Sequence, residues 1–183
     1  MRRRDFLQAF AAGSTMLLLP ARLLAATVLR QVNTVSLRCL GNVNGPRFLD
    51  GRTGDATVRL APDLTKEFSG TKWKVWGGGG NILLQCLGSV EGSRWLDGRT
   101  QDGTVGLAPS NRRPFTGTRW KVVQLDDANP DIVGLKCLGE IEGLGLRWLD
   151  GRTGNGTVGL AKNTNPPFTG TKWEVKLYPV RFD

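Results

Sequence analysis

Three aspartates, Asp50, Asp97 and Asp150, each sit in the same pentapeptide, Leu-Asp-Gly-Arg-Thr, directly after an aromatic residue. In an extended chain, successive side chains alternate between faces. Phe48, Asp50 and Arg52 therefore share one face, as do Trp95, Asp97 and Arg99, and Trp148, Asp150 and Arg152. A flat ring beside a carboxylate and a guanidinium is a sugar-binding mixture. The ring covers C–H groups, and the planar charged groups fork hydroxyl pairs. These nine residues are the candidate ligand-binding set. The competing reading is structural: the rings plug a core, and each aspartate bonds local backbone or pairs with its arginine.

Catalysis is not expected. The chain has no histidine, so general-base work would fall to carboxylates. No serine sits in a nucleophile setting. An enzyme assembles one asymmetric site, whereas these acids recur once per repeat. Cleavage of a glycoside would need two paired carboxylates from divergent positions, and Glu91 and Glu142 instead occupy equivalent slots. No cofactor is expected.

Cys39, Cys86 and Cys137 also occur once per repeat, each following an aliphatic pair at period two: Val35 and Leu37, Ile82 and Leu84, Val133 and Leu135. That pattern puts each thiol on the buried face of a strand, as a small hydrophobe. A three-thiolate metal site is the sharper alternative; it would have no histidine to complete it, and no metal is expected.

These triplets belong to a block of about forty residues written three times, over about 33–80, 81–129 and 130–180. Each copy reads as four short strands. The first ends in Cys-Leu-Gly, the second carries the aromatic-Leu-Asp run, the third is Thr-Val-x-Leu and the fourth is Thr-x-Trp-x-Val. Gly-, Asn-, Asp- and Pro-rich breaks separate them. Asp102-Gly103 and Asn155-Gly156 suit tight hairpins, because both residue types tolerate positive φ. Trp73, Trp120 and Trp173 alternate with valine and read as core. Trp76 has no counterpart, since Val123 and Lys176 take its place.

Twelve strands in a triple repeat resemble the β-trefoil, which implies an all-β single domain over residues 27–183, with six barrel strands capped by six hairpin strands. The fourth-strand tryptophan resembles that of ricin-type lectins, although Thr71, Thr118 and Thr171 stand where those repeats carry glutamine. The Leu-Asp-Gly, Val-x-Leu, Trp-x-Val succession is also similar to fascin-type repeats. In ricin-type lectins an aspartate and an aromatic of each repeat hold sugar. The resemblance thus implies a non-catalytic, lectin-like carbohydrate-binding protein with up to three equivalent sites. The alternatives are a structural or protein-binding module of the cell envelope, or a trefoil-type inhibitor using one of the divergent loops at 63–67, 110–114 and 162–167.

Ahead of the repeats, Arg3-Arg4-Asp5-Phe6-Leu7 leads into an apolar stretch ending in Ala25-Ala26. This resembles a bacterial twin-arginine export signal over residues 1–26, and implies a periplasmic or secreted protein. Pro20 and Arg22 interrupt the apolar run, so no stable membrane span is expected after cleavage. The whole chain carries a formal charge of +9. Without residues 1–26, which hold four arginines and one aspartate, the surplus is +6, spread over the three repeats without a dense Lys/Arg run, so nucleic acid is not an expected partner. Carbohydrate or an anionic envelope polymer is, with a protein partner as the alternative.

Overall fold

The computed structural model describes residues 33–78 and 80–178. The expected export signal lies outside them. Among the described residues, no helix is long and apolar enough to cross a membrane.

Twelve strands form: β1 Thr34–Cys39, β2 Phe48–Arg52, β3 Thr57–Ala61, β4 Trp73–Gly78, β5 Asn81–Cys86, β6 Trp95–Arg99, β7 Thr104–Ala108, β8 Trp120–Gln124, β9 Ile132–Cys137, β10 Trp148–Arg152, β11 Thr157–Ala161 and β12 Trp173–Leu177. All pairings are antiparallel. Six of the strands close a ring, β1–β4–β5–β8–β9–β12 and back to β1. The other six make three hairpins of identical register: Asp50 opposite Arg59, Asp97 opposite Gly106 and Asp150 opposite Gly159. The hairpins bond one another in a closed triangle, β3 to β7, β7 to β11 and β11 to β3. Sequence alternation thus builds both layers, barrel and cap.

The period-two pattern decides what the barrel encloses. Val35, Leu37 and Cys39, and their counterparts in β5 and β9, are all at most 2% exposed. Trp73, Trp120 and Trp173 are fully buried, as their alternation with valine indicates. Each indole N–H donates to a carbonyl of the hairpin beside it, Leu49, Leu96 or Leu149, at 2.9–3.0 Å. A buried tryptophan that also satisfies its one polar atom fixes the hairpin against the barrel.

Each hairpin turn is tied by an acceptor at one position. Asp55, Asp102 and Asn155 accept both the N–H and the hydroxyl of the threonine two residues on. The residue between is left-handed in every copy: Ala56, Gly103 and Gly156 have φ of 59°, 77° and 73°. Its carbonyl then accepts the N–H of Leu107, Leu160 or Leu60 in the neighbouring hairpin, which closes the triangle. No helical period marks the chain beyond residue 26, and the helical content of the described residues is three short 3₁₀ turns, Lys66–Thr71, Thr116–Thr118 and Thr169–Thr171. Each lies just ahead of a core tryptophan, and each shapes the site.

Candidate functional site

The Leu-Asp-Gly-Arg-Thr run lies at the junction of β2, β6 or β10 with a 3₁₀ turn. Leu49, Leu96 and Leu149 face the core and are fully buried. Alternation then turns each aspartate the other way, and in a simple sheet it would be exposed. It is not: Asp50, Asp97 and Asp150 are 6%, 8% and 7% exposed. The reason is the glycine of the following Phe-x-Gly-Thr. A Cβ on Gly70 would stand 2.0 Å from the carbonyl oxygen of Gly51 and 2.7 Å from the Asp50 Oδ1. The absence of a side chain lets the 3₁₀ turn fold back over β2 and cover the carboxylate. Gly117 and Gly170 make the same approach. The Gly170 backbone also favours the charged form of the Asp150 carboxylate.

Burial raises all three carboxyls above the usual aspartate range, while the neighbouring Arg52, Arg99 and Arg152 pull them down. The ion pairs are loose, 4.0 Å for Arg52 Nε to Asp50 Oδ2 and likewise for Arg152 with Asp150. The arginine side chains remain 48% and 63% exposed. Each guanidinium therefore borders solvent beside a carboxylate that is largely covered. The threonine of the run is also structural: Thr53 and Thr100 donate to the carbonyls of Val90 and Ile141 in the next repeat.

The arrangement opens a cleft in two repeats. In the first, about 450 Å³ is bounded by Asp50, Arg52, Phe68, Ser69 and Val90. In the second, about 210 Å³ is bounded by Asp97, Arg99, Phe115, Thr116 and Ile141. The third repeat has a cleft of about 440 Å³ around Phe168, Thr169, Asn42 and Lys172, and neither Asp150 nor Arg152 lines it.

The structure thus brings Asp50 to Arg52 and Asp97 to Arg99 in a cleft, but with a different ring from the one on the same strand face. Phe48, Trp95 and Trp148 line neither cleft. They are half-buried and lean on the outer barrel wall: Phe48 stands opposite Arg38, Trp95 opposite Gln85 and Trp148 opposite Lys136. The rings in the clefts are Phe68 and Phe115, and Val90 and Ile141 supply the facing wall. Sequence reasoning passed over them. Their mark was the triple recurrence of Phe-x-Gly-Thr, together with an aliphatic at the same place in each of the loops at 43, 90 and 141.

The cysteines sit behind the same seams. Cys86 donates to the carbonyls of Gly51 and Gly70, Cys137 to those of Gly98 and Gly117, and Cys39 to those of Gly151 and Gly170. Each thiol is free, buried and bonded to the repeat before it, the first repeat following the third. Burial pushes Cys86 and Cys137 up to about 11 and raises Cys39. Among the described residues, no group of three His, Cys, Asp or Glu is placed to hold a metal.

No protein-family model and no curated protein sequence matches the chain. Solved structures do. A structure of BEL, itself a β-trefoil, superposes with a TM-score of 0.57 at 15% identity over 81% of this chain and 94% of that one. The fold is a β-trefoil. A structure of SeviL bound to asialo-GM1 saccharide matches with a TM-score of 0.54 at 12% identity, over 81% of this chain and all of that one. An endo-β-galactosidase of Clostridium perfringens that releases GlcNAcα1-4Gal matches at 0.59 and 16% identity over 80% of this chain. The trefoil here spans only 33% of that enzyme. At such identities the likeness establishes the fold, and one scaffold hosts many functions.

Proposed function

We propose that this chain is an exported, non-catalytic protein that binds carbohydrate in the clefts beside Asp50–Arg52 and Asp97–Arg99, with Asp150–Arg152 as the third equivalent pair. The observation that carries the reading is the lining of the two clefts. Each joins a phenyl ring, a solvent-bordering guanidinium, the covered aspartate and a facing aliphatic from the next repeat, and Asp55 and Glu67 also border the first cleft. A ring and an aliphatic offer apolar surface to the C–H groups of a pyranose, and the guanidinium offers paired donors to its hydroxyls. The covered carboxylate places a negative charge beside the guanidinium. Clefts that shallow bind weakly one at a time, and repetition supplies avidity on a polymer. The structure of SeviL, which shares the fold and holds a saccharide, supports the ligand class.

The same geometry supports non-catalytic action. The tripled carboxylates are each covered by a 3₁₀ turn beside an arginine charge, and no two of them border one cleft. The test is a screen of the purified chain on immobilised glycans at low and at moderate salt. Binding to one sugar family that survives the salt supports the reading. Binding that vanishes with salt reduces it to surface charge.

A further inference from the structure

We propose that the outer barrel wall over β4, β5, β8 and β9 is a second binding surface, which takes an acidic polysaccharide. It shares a ligand class with the cleft reading and uses none of the cleft residues.

Among the described residues, the lysines of this wall form no ion pair. None of the four strands contains an aspartate or glutamate, while Lys74, Lys121 and Lys136 alternate outward from the buried Trp73, Trp120 and Cys137. Lys121 and Lys136 stand directly opposite each other in register. Like charges in that position destabilise an antiparallel pair. The next seam is built differently: there Glu174 bonds Arg38 at 3.4 Å and Lys176 at 3.2 Å. The nearest acids in sequence, Asp126, Asp127 and Asp131, stand in the turn at the other end of the β8–β9 hairpin.

The indoles set the kind of anion. Trp76 and Trp95 flank β5 with centroids 6.4 Å apart and planes at 49°. The Trp76 N–H donates to Gln85 Oε1 at 2.9 Å, which leaves the Gln85 amide nitrogen as a donor. Lys74 Nζ lies 4.2 Å above the Trp76 ring, and Lys136 Nζ lies 5.8 Å above Trp148. Those ammonium groups take one face of Trp76 and one of Trp148, where a nucleobase would otherwise stack. No arginine stands on the four strands to fork a phosphate. What the wall offers is ammonium and amide donors, from the lysines, Asn81 and Gln85, along a β-surface. That set matches the carboxylates and hydroxyls of a uronate chain.

The test is retention of the full chain on immobilised polygalacturonate, with dextran and single-stranded DNA as controls at the same moderate salt. The R52A/R99A/R152A background removes the cleft arginines and separates this surface from the clefts. There we expect retention on polygalacturonate above dextran and DNA. Adding K74Q/K121Q/K136Q, or Lys121→Gln alone if the triple change lowers stability, should weaken it, the triple by roughly tenfold. Equal retention on dextran, a preference for DNA, or full retention by the folded lysine variants would overturn the proposal.

Discussion

The Cys86 thiol of the second repeat donates to the carbonyl of Gly51 in the first, at 3.2 Å. The same sulfur accepts the N–H of Gly88 at 3.4 Å. Cys39 and Cys137 repeat the contact at the other two seams, so each buried thiol joins one repeat to another.

Such thiols should be inert. Burial holds Cys86 and Cys137 at about 11, so their thiolate is scarce at neutral pH. A chromogenic thiol reagent at mildly alkaline pH should detect none in the native chain and all three in denaturant. A native thiol that reacts at the rate of a free cysteine contradicts this packing.

The same seam limits its glycines. A Cβ on Gly98 would stand 2.9 Å from Cys137 Sγ and 3.0 Å from Trp120 Cη2. Gly98→Ala should cost about 1–3 kcal/mol through overpacking. In the double variant with Cys137→Ala the two costs should add to less than their sum. Gly117→Ala should be worse than Gly98→Ala, because its Cβ would meet the backbone oxygen of Gly98 at 2.1 Å. Denaturant unfolding measures all of these, and strict additivity would show that the two residues do not compete for one space.

Much of this was legible in the residues. Val35-x-Leu37-x-Cys39 at period two gave the inward face of β1, and Trp73-x-Val75 gave that of β4. The triple block gave twelve strands. The site was only partly legible. Alternation puts Asp50 on the face opposite Leu49, and so it is, but the 3₁₀ turn at Gly70 covers that face. The turn is a close approach of backbone to backbone, which periodicity does not report. For the same reason Phe68, carried on the turn, lines the cleft in place of Phe48 on the strand.

The covered carboxylates should leave a pH signature. A carboxyl raised in the folded state, as at Asp50, Asp97 and Asp150, holds protons better there than in the unfolded chain. Its contribution to stability is full below the unfolded aspartate value, about 3.9, and is lost as pH rises through the folded value. Asparagine keeps the acceptor and removes the titration. The Tm of D50N/D97N/D150N, relative to the parent, should therefore climb as pH rises above about 4 and level off once the folded carboxyls have ionised. A difference that falls over that range would mean the carboxylates are stabilised by their arginines instead.

The hairpin turns need an acceptor and not a charge, since Asn155 makes the bonds to Thr157 that Asp55 makes to Thr57. Asp55→Asn should leave Tm nearly unchanged, and Asp55→Ala should lower it. Equal losses from both would assign the role to charge.

The most direct measurement for the central claim is calorimetric titration of the glycan that the screen identifies, into the parent chain and into R52A/R99A/R152A at moderate salt. Each arginine favours the charged form of a covered carboxylate, so the titration is run at a temperature where the variant is folded. Saturable binding by the parent is expected, weakened by roughly tenfold or more in the variant. Equal affinity in the folded variant would remove the clefts from carbohydrate binding.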